Sequence, residues 1–309
     1  MATPRYKLVD DSTALSYHLV SNCVRRAWLC GRDKRTGRDY SHRKRWLVER
    51  MLALARCFAV EIDAYAVMSN HFHLVVHYDP KASQEWTPEE VAARWVQAFP
   101  PRDRGEVVEE LKEEAQELLL GDPERLSRAR RTLGSLSCFM QHLKQPIARR
   151  ANEEDGCEGH FFEQRFYSGA LLSEKAVLAA MAYVDLNPVR AKLAQRLEQC
   201  QHTSIGARLL ENTPKALADY LRPLASGLES NTDQKKSKDR PPRLGVTLAY
   251  YIARLEEVVD AEAAPDKEAR WIERMESLAR RQRAYGPKAR LEQWAALRGL
   301  PLREVPLPT

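Results

Sequence analysis

The chain lacks any long uninterrupted apolar segment. None of its apolar runs approaches the roughly 18 to 20 residues that a membrane-spanning helix needs, and the polar segment 1–11 lacks the apolar core of a secretory signal peptide. Of its 309 residues, 44% are hydrophobic and 30% are charged, which is the composition of a soluble globular protein. We therefore expect a cytoplasmic protein with no membrane partner.

Paired cysteines are also missing. The six cysteines are scattered along the chain, and no two of them form a Cys-x-x-Cys motif. This spacing argues against a zinc knuckle and against a disulfide framework, so we expect free thiols. No internal repeat is evident, which argues against a repeat architecture.

Positive charge is concentrated near the N-terminus. Residues 1–60 hold 13 Lys and Arg against 5 Asp and Glu, whereas residues 81–133 hold 9 against 12. Within residues 32–45 the basic side chains are Arg32, Lys34, Arg35, Arg38, Arg43, Lys44 and Arg45, with Trp28, Tyr40 and Trp46 interleaved or adjacent. Basic residues mixed with aromatic rings favour a nucleic acid whose bases can stack, although a solvated loop and helix face would have the same composition.

Apolar spacing in the first eighty residues predicts strand, helix, strand, strand. Alternation predicts strands at 14–24 and 60–68 and a third beginning at His71, with Ser69-Asn70 as the turn between the last two. Apolar residues at helical spacing predict a helix over 42–58 that begins at Ser41 as N-cap.

An acidic insertion follows at about residues 80–133. A helix should begin at Thr87 through a capped first turn, and another should span 104–120. Residues 134–150 predict a further helix that Pro146 should kink or shorten. A loop at 159–172 then enters a fourth strand, and Ser173 caps a helix that runs to about Leu186.

The C-terminal third divides into a linker and an extension. Residues 211–243 form the predicted linker, with Ser, Asn, Asp, Lys and Pro concentrated in 226–243. Residues 244–309 predict a helical extension, with amphipathic helices at 248–259, 267–283 and 289–298. The dense Arg280-Arg-Gln-Arg283 cluster beside Tyr285 favours contact with DNA over solvent exposure alone.

His71 and His73 place two imidazoles on one face of a predicted strand. Alternate residues of a strand share a face, and paired imidazoles make half of a metal site. An ordinary half-buried strand whose histidines bond to solvent or backbone fits the same pair. His77 also shares this face, but six residues span about 20 Å along a strand, so we interpret His77 as structural.

Tyr183 and Asn187 are spaced four residues apart on the predicted helix 174–186. Residues at this spacing share a helical face, and Pro188 disfavours helical geometry at Asn187, which places that residue at the helix end. A phenol and an amide would therefore lie side by side. The alternative is a core tyrosine followed by an asparagine that ends the helix.

In combination these motifs resemble a known family. Asn70-His71-Phe72-His73 after a strand, then Phe166-Tyr-Ser, then Tyr183-Val-Asp-Leu-Asn187-Pro188-Val189-Arg190-Ala191 are similar to the single-tyrosine transposases of the His-hydrophobic-His endonucleases, and within them to the REP-associated tyrosine transposases. The resemblance covers about residues 14–207 without the acidic insertion. It implies an α+β fold, with a ferredoxin-like antiparallel four-stranded sheet and helices on one side, in a catalytic domain at 1–210.

The resemblance also implies roles for individual residues. His71 and His73 would bind a divalent metal, Mg²⁺ or Mn²⁺, with Asn187 as the third ligand, and Tyr183 would be the nucleophile. Such an enzyme cleaves and rejoins single-stranded or hairpin DNA through a 5′-phosphotyrosine, as a monomer or homodimer. The residues predicted to contact DNA are Arg25, Arg26, Arg35, Arg43, Lys44, Arg45, Arg165 and Arg190.

Two further interpretations remain open at this point. One is a catalytically silent regulator that binds DNA hairpins and descends from such a transposase. The other is a metallohydrolase that uses His71, His73 and His77, which is disfavoured because acidic ligands are missing beside the histidine strand.

Overall fold

One mixed sheet forms the centre of the protein. The structure, a computed structural model, describes residues 3–24, 30–33, 36–210, 220–224, 244–261 and 269–308. Within them the sheet strands are β1 Leu15–Asn22, β2 Val60–Val67, β3 His71–Tyr78, β4 Tyr167–Leu171 and β5 Ala284–Tyr285, in the order β2-β3-β1-β4-β5. The pairs β2-β3, β3-β1 and β1-β4 are antiparallel, whereas β4 and β5 are parallel. The α+β class is confirmed, whereas a sheet of four antiparallel strands alone is wrong.

Helices account for most of the remaining described residues. The longer ones are α1 His42–Ala55, α2 Pro88–Ala98, α3 Lys112–Leu120, α4 Pro123–Leu133, α5 Leu136–Asp155, α6 Glu174–Asp185, α7 Ser204–Leu210, α8 Leu248–Ala261, α9 Ala269–Ser277 and α10 Lys288–Leu297. Short helices span Arg5–Leu8, Ala82–Glu85 and Asn187–Arg190, and single 3₁₀ turns span Glu109–Leu111, Leu197–Gln199 and Leu278–Arg280. In this part of the chain no helix combines the length and apolar character needed to cross a membrane.

Helices cover both faces of the sheet. Tyr17 and Leu19 of β1 lie with Phe72 of β3 in one apolar core, and α1 and α5 cover this core on one face of the sheet. Alternate strand residues such as Val75 point to a second core, which is closed by α6 and by parts of α8 and α9. The expectation of helices on one side is therefore wrong, because the helix that carries Tyr183 packs on the opposite face from α1 and α5.

The insertion is helical but differs in detail from its prediction. The helix expected over 104–120 begins only at Lys112. Before it, Arg102–Asp103 pairs with Glu106–Val107 in a two-stranded hairpin. Arg104 and Gly105 form the turn with φ of 47° and 94°, which a helix does not permit.

Side-chain caps begin two of the predicted helices and not the third. The Thr87 hydroxyl accepts from the Glu90 amide at 3.2 Å, and the Glu90 carboxylate accepts from the Thr87 amide at 2.7 Å, which completes a capping box. The Ser173 hydroxyl likewise accepts from the Ala176 amide at 3.2 Å. Ser41 makes no such bond and has helical backbone angles, so the prediction that it caps α1 is wrong.

Pro146 neither ends nor shortens α5, which continues to Asp155. A proline inside a helix leaves the carbonyl four residues earlier without its amide donor. Here that carbonyl belongs to His142, and the Arg50 guanidinium of α1 donates to it at 3.4 Å. A second bond from Arg50 to the Ala98 carbonyl, at 3.0 Å, ties the same side chain to the insertion.

The C-terminal residues pack against the sheet. The β5 strand lies beside β4, and the Tyr251 hydroxyl of α8 donates to the buried Asp185 carboxylate at 2.8 Å. Of the predicted linker, the structure describes 220–224, where Leu221 bridges to Ile62 of β2; residues 226–243 lie outside the described residues. The domain boundaries at 210 and 243 stay predictions.

Arg43 serves the fold. Its side chain is 0% exposed, and its guanidinium binds Glu154 at 2.8 Å and Asp155 at 2.5 Å at the end of α5. It also lies 4.1 Å above the Tyr40 ring. A buried guanidinium with two carboxylate partners cannot reach a DNA phosphate without breaking them, so the prediction that Arg43 contacts DNA is wrong for this conformation.

We expect Arg43→Ala to lower the free energy of unfolding by about 2 kcal/mol, because it leaves the carboxylates of Glu154 and Asp155 without their buried partner. Water reaches both carboxylates in part, which keeps the loss below that of a fully buried ion pair. Urea denaturation measures this. The matched control is Arg45→Ala on the exposed side of the same helix, whose pair with Glu49 contributes less than about 0.5 kcal/mol. Equal stability of the two variants would contradict the structural role of Arg43.

Candidate active site

The two histidines of β3 lie next to each other at one end of the sheet. His71 pairs with Asn22 and His73 with Val20 across β1, and the two imidazole rings are 4.8 Å apart. His73 is only 3% exposed, whereas His71 is half-buried. The strand thus presents one buried and one accessible imidazole on the same face, as predicted from their spacing.

The end of α6 reaches this pair. Tyr183 lies in the last turn of α6, and Asn187 begins the short helix that follows. The Asn187 amide nitrogen is 3.2 Å from His73 Nε2, and the Tyr183 ring is 5.7 Å from the His73 ring. The structure therefore brings the two motifs together, although more than a hundred residues separate them in the sequence.

The Tyr183 helix is held at its C-terminal end by Asp185. This fully buried carboxylate accepts from the Ile205 amide at 2.8 Å and from the Ser204 hydroxyl, both at the start of α7, as well as from Tyr251. Burial raises the pKa of Asp185, which these hydrogen bonds oppose. The bonds fix the turn between Tyr183 and Asn187 relative to α7 and α8.

A third imidazole belongs to the cluster, although the family resemblance assigns it no role. His18 of β1 is buried, its Nε2 is 2.9 Å from His73 Nδ1, and the two rings stack 5.2 Å apart. Its ring is also 5.7 Å from Tyr183. The only sequence signal for His18 is its position in an apolar strand, on the face of β1 that also carries Val20 and Asn22.

Burial keeps both inner imidazoles neutral. Desolvation, followed by the charge of Arg281, lowers the pKa of His18 to about 3. Desolvation also lowers the pKa of His73 well below its usual value, and His18, His71, Arg281 and Arg190 act in the same direction. At neutral pH, His18 and His73 therefore each carry one ring hydrogen.

With the Asn187 side-chain amide oriented with its nitrogen towards His73, the contacts of His73 define where its hydrogen lies. The Asn187 amide nitrogen can only donate, so His73 Nε2 accepts and carries the lone pair. The hydrogen is then on Nδ1 and is donated to His18 Nε2. A partner on one ring nitrogen that fixes the lone pair on the other is how proteins orient a metal-binding histidine.

Two tyrosines lie near the imidazoles but differ in their bonding. Tyr167 stacks edge-on against His18 at 5.8 Å, and its hydroxyl is bound to the Gln282 carbonyl and, at 2.7 Å, to the Tyr285 hydroxyl. Burial raises the pKa of Tyr167 well above its usual value. Tyr183 is half-buried, and its hydroxyl makes no hydrogen bond within the described residues. Tyr183 is therefore the phenol that a substrate can reach.

The donor set fits a divalent metal through nitrogen and amide oxygen. His71, His73 and Asn187 supply two imidazoles and one amide, and a half-turn of the amide would direct its oxygen to the same point as His73 Nε2. Asparagine is needed for this set, since in the described part of the chain no group of three or more His, Cys, Asp or Glu could hold a metal. His77 contacts Ser16 at 3.3 Å towards the other end of β3, which fits its structural interpretation.

The predicted DNA-binding residues are dispersed. Of those that the structure describes, only Arg190 contacts the cluster: it is exposed, and its guanidinium lies 4.6 Å above the Tyr183 ring. Arg45 and Arg165 are exposed, and Lys44 is half-buried, with a pKa lowered by desolvation. Arg25, Arg26 and Arg35 lie outside the described residues.

Comparison with solved structures shows a distant similarity to a known protein. No family model matches the chain, and no curated protein matches it. A solved structure described as the REP-associated tyrosine transposase bound to a REP hairpin is 13% identical, with a TM-score of 0.35, over 70% of this chain and 88% of that one. A similarity of this size does not establish a family.

We expect His18→Phe to release the His73 hydrogen from Nδ1, because phenylalanine fills the space but cannot accept a hydrogen bond. Long-range ¹H–¹⁵N spectra of the imidazoles measure the tautomer. His18→Gln is the control, since its amide oxygen can accept from Nδ1 and keep the hydrogen there. The same His73 tautomer in wild type and His18→Phe would show that His18 does not set it.

Proposed function

We propose that the protein is a metal-dependent DNA strand-transferring endonuclease of the transposase type, with Tyr183 as its nucleophile. The observation that carries the proposal is the convergence of Tyr183, His73 and Asn187 at one end of the sheet, with an exposed arginine on the tyrosine ring. A core tyrosine and a helix-ending asparagine would not require two imidazoles beside them.

The chemistry assigned to Tyr183 is attack on a phosphodiester. Its phenol oxygen forms a bond to phosphorus and loses its proton, while the bond to the 3′ oxygen breaks and leaves a free 3′-hydroxyl. The protein then holds the 5′-phosphate as a phosphotyrosine ester. Another 3′-hydroxyl can reverse the step and join two strands without ATP, because the ester conserves the bond energy.

A divalent metal held by His71, His73 and the Asn187 amide oxygen would neutralise charge on the phosphate and make its phosphorus more electrophilic. Imidazole nitrogen is a better ligand for Mn²⁺ than for Mg²⁺, whereas the amide oxygen suits both. We therefore propose that Mn²⁺ supports the reaction at lower concentration than Mg²⁺.

Single-stranded DNA is the proposed substrate. Arg190 places an exposed guanidinium against the nucleophile, where a phosphate must approach. The exposed Arg45 and Arg165 add positive charge to the protein surface. The motif resemblance extends the substrate to hairpins of the REP type.

One observation favours a second candidate function. Both ring nitrogens of His73 are engaged by protein groups, Nδ1 by His18 and Nε2 by Asn187. If the Asn187 amide keeps this orientation, the site is a closed hydrogen-bonded network, and the protein is a silent hairpin-binding regulator. Such a protein binds hairpin DNA and forms no covalent adduct with any metal.

We expect Tyr183→Phe to abolish covalent attachment of labelled single-stranded hairpin DNA in Mn²⁺ while the dissociation constant changes by less than about threefold, because only the attacking oxygen is removed. Denaturing gels detect the adduct and filter binding measures affinity. Tyr167→Phe tests the neighbouring phenol and should keep the adduct. An adduct that persists in Tyr183→Phe would identify another nucleophile.

The double variant His71→Ala, His73→Ala should form no adduct in Mg²⁺ or Mn²⁺, because the two nitrogen ligands are gone. Mn²⁺ titration followed by electron paramagnetic resonance should show loss of the bound ion in the same variant. The control is His77→Ala, which lies towards the far end of the strand and should retain Mn²⁺ binding. Undiminished cleavage by the double variant would rule out this metal site.

A further inference from the structure

Residues 278–285, called the C-terminal segment below, extend the sheet beside the candidate site. Residues Ala284–Tyr285 form β5 parallel to β4, and the Tyr285 hydroxyl contacts the Tyr167 hydroxyl at 2.7 Å. The Gln282 carbonyl accepts from the same Tyr167 hydroxyl, and the Gln282 amide donates to Tyr285 at 2.9 Å. Tyr167 in turn touches His18, so the segment reaches the imidazole cluster through one side chain.

Gly169 makes this close approach possible. Gly169 pairs with His18 across β1 and β4. A Cβ at this position would lie 2.7 Å from Tyr285 Cε2 and closer still to the Tyr167 hydroxyl, which real Cβ atoms do not tolerate. The absence of a side chain on β4 therefore lets the C-terminal segment pack directly against the catalytic strands.

The side chain of Arg281 extends from this segment towards the candidate site. Its backbone adopts a left-handed conformation with φ of 48°, an unusual state for a residue with a Cβ, and this conformation comes directly after the 3₁₀ turn Leu278–Arg280. Its guanidinium is 3.4 Å from the Asn22 side-chain oxygen and 6.0 Å from the Tyr167 ring. Asn22 is the residue that pairs with His71 across the sheet.

The charge of Arg281 is available to a ligand. The side chain is exposed, and within the described residues no carboxylate lies at ion-pair distance from it. Arg283, two residues later, is instead bound to Glu304 at 2.6 Å and to the Pro301 carbonyl. The positive charge of Arg281 also reaches the imidazoles, since it helps to lower the pKa of both His18 and His73.

We propose that Arg281 is a catalytic residue, contributed by the C-terminal extension, which binds a non-bridging oxygen of the phosphate that Tyr183 attacks. Arg190 and Arg281 then approach this phosphate from two sides, one over Tyr183 and the other beside Asn22. A planar guanidinium with several donors matches a phosphate, and its charge stabilises the negative charge that grows on the oxygens during attack. This inference rests on the proposed function and adds a group that the motif comparison does not contain.

The first test compares Arg281→Ala with Arg280→Ala. Arg280 is the exposed neighbour in the same arginine cluster. Because the DNA is saturating, an arginine that adds only binding affinity does not change the rate, so removal of Arg280 controls for general loss of charge. Alanine and arginine both carry a Cβ, so Arg281→Ala leaves the left-handed backbone position equally strained. With saturating labelled hairpin DNA and Mn²⁺, we expect adduct formation to slow by roughly 10²-fold or more in Arg281→Ala, to recover partly in Arg281→Lys, and to stay within about twofold in Arg280→Ala.

The second test uses binding without chemistry. In the Tyr183→Phe background, single phosphates of the hairpin strand are replaced one at a time by neutral methylphosphonates. We expect one position to weaken binding to the Arg281 protein by about tenfold and to have no effect in Arg281→Ala. Such coupling identifies a direct contact between Arg281 and that phosphate.

The two tests separate the inference from the proposed function. If Arg281 and one phosphate are coupled in the binding test but the wild-type protein forms no adduct, Arg281 contacts that phosphate and the proposed catalytic function is wrong. An adduct that forms equally fast in Arg281→Ala and Arg280→Ala, or methylphosphonates that weaken both proteins alike at every position, would overturn the role of Arg281. Failure to bind the hairpin at all would overturn both proposals.

Discussion

The hydrogen bond between His18 and His73 is the contact on which the arrangement of the candidate site depends. It links two neighbouring strands inside a core where neither imidazole can be solvated, and within the described residues His73 is the one hydrogen-bond partner of the His18 ring. Because Nδ1 of His73 is held from β1, its Nε2 must point towards the end of α6, where Asn187 and Tyr183 lie. The buried pair therefore orients the end of the sheet that carries the candidate site, and the accessible His71 lies beside it.

Much of this arrangement follows from local sequence patterns. Alternation identified β1 and β2 to within about two residues and the start of β3 at His71, whereas β4, at Tyr167–Leu171, was expected only as a strand entered from a loop at 159–172. The spacing of Tyr183 and Asn187 placed both near one helix end. Those signals are local, since they depend on which face each residue occupies. The Phe72 and His73 alternation even separates the core of one face from the site on the other.

The features that could not be predicted depend on partners far away in sequence. Arg43 belongs to a basic cluster that is typical of nucleic-acid contact, but its counter-charges come 111 and 112 residues later, at the end of α5. The strand β5 has only two residues, too few for alternation to be recognised, and its pairing depends on a glycine more than a hundred residues earlier. Pro146 is tolerated because Arg50, on another helix, donates to the carbonyl that the proline leaves without an amide.

Gly169 also bears on how the sheet is completed. Tyr167 and Tyr285, whose hydroxyls meet beside Gly169, are 118 residues apart in the chain. Until the residues between them have been synthesised, the outer edge of β4 has no strand of its own chain to pair with. An open edge accepts a suitable strand from any chain that offers one. At high protein concentration during refolding, the segment that carries β5 can therefore pair with β4 of a second copy, and the exchanged dimer would contain two sheets, each completed by the other molecule.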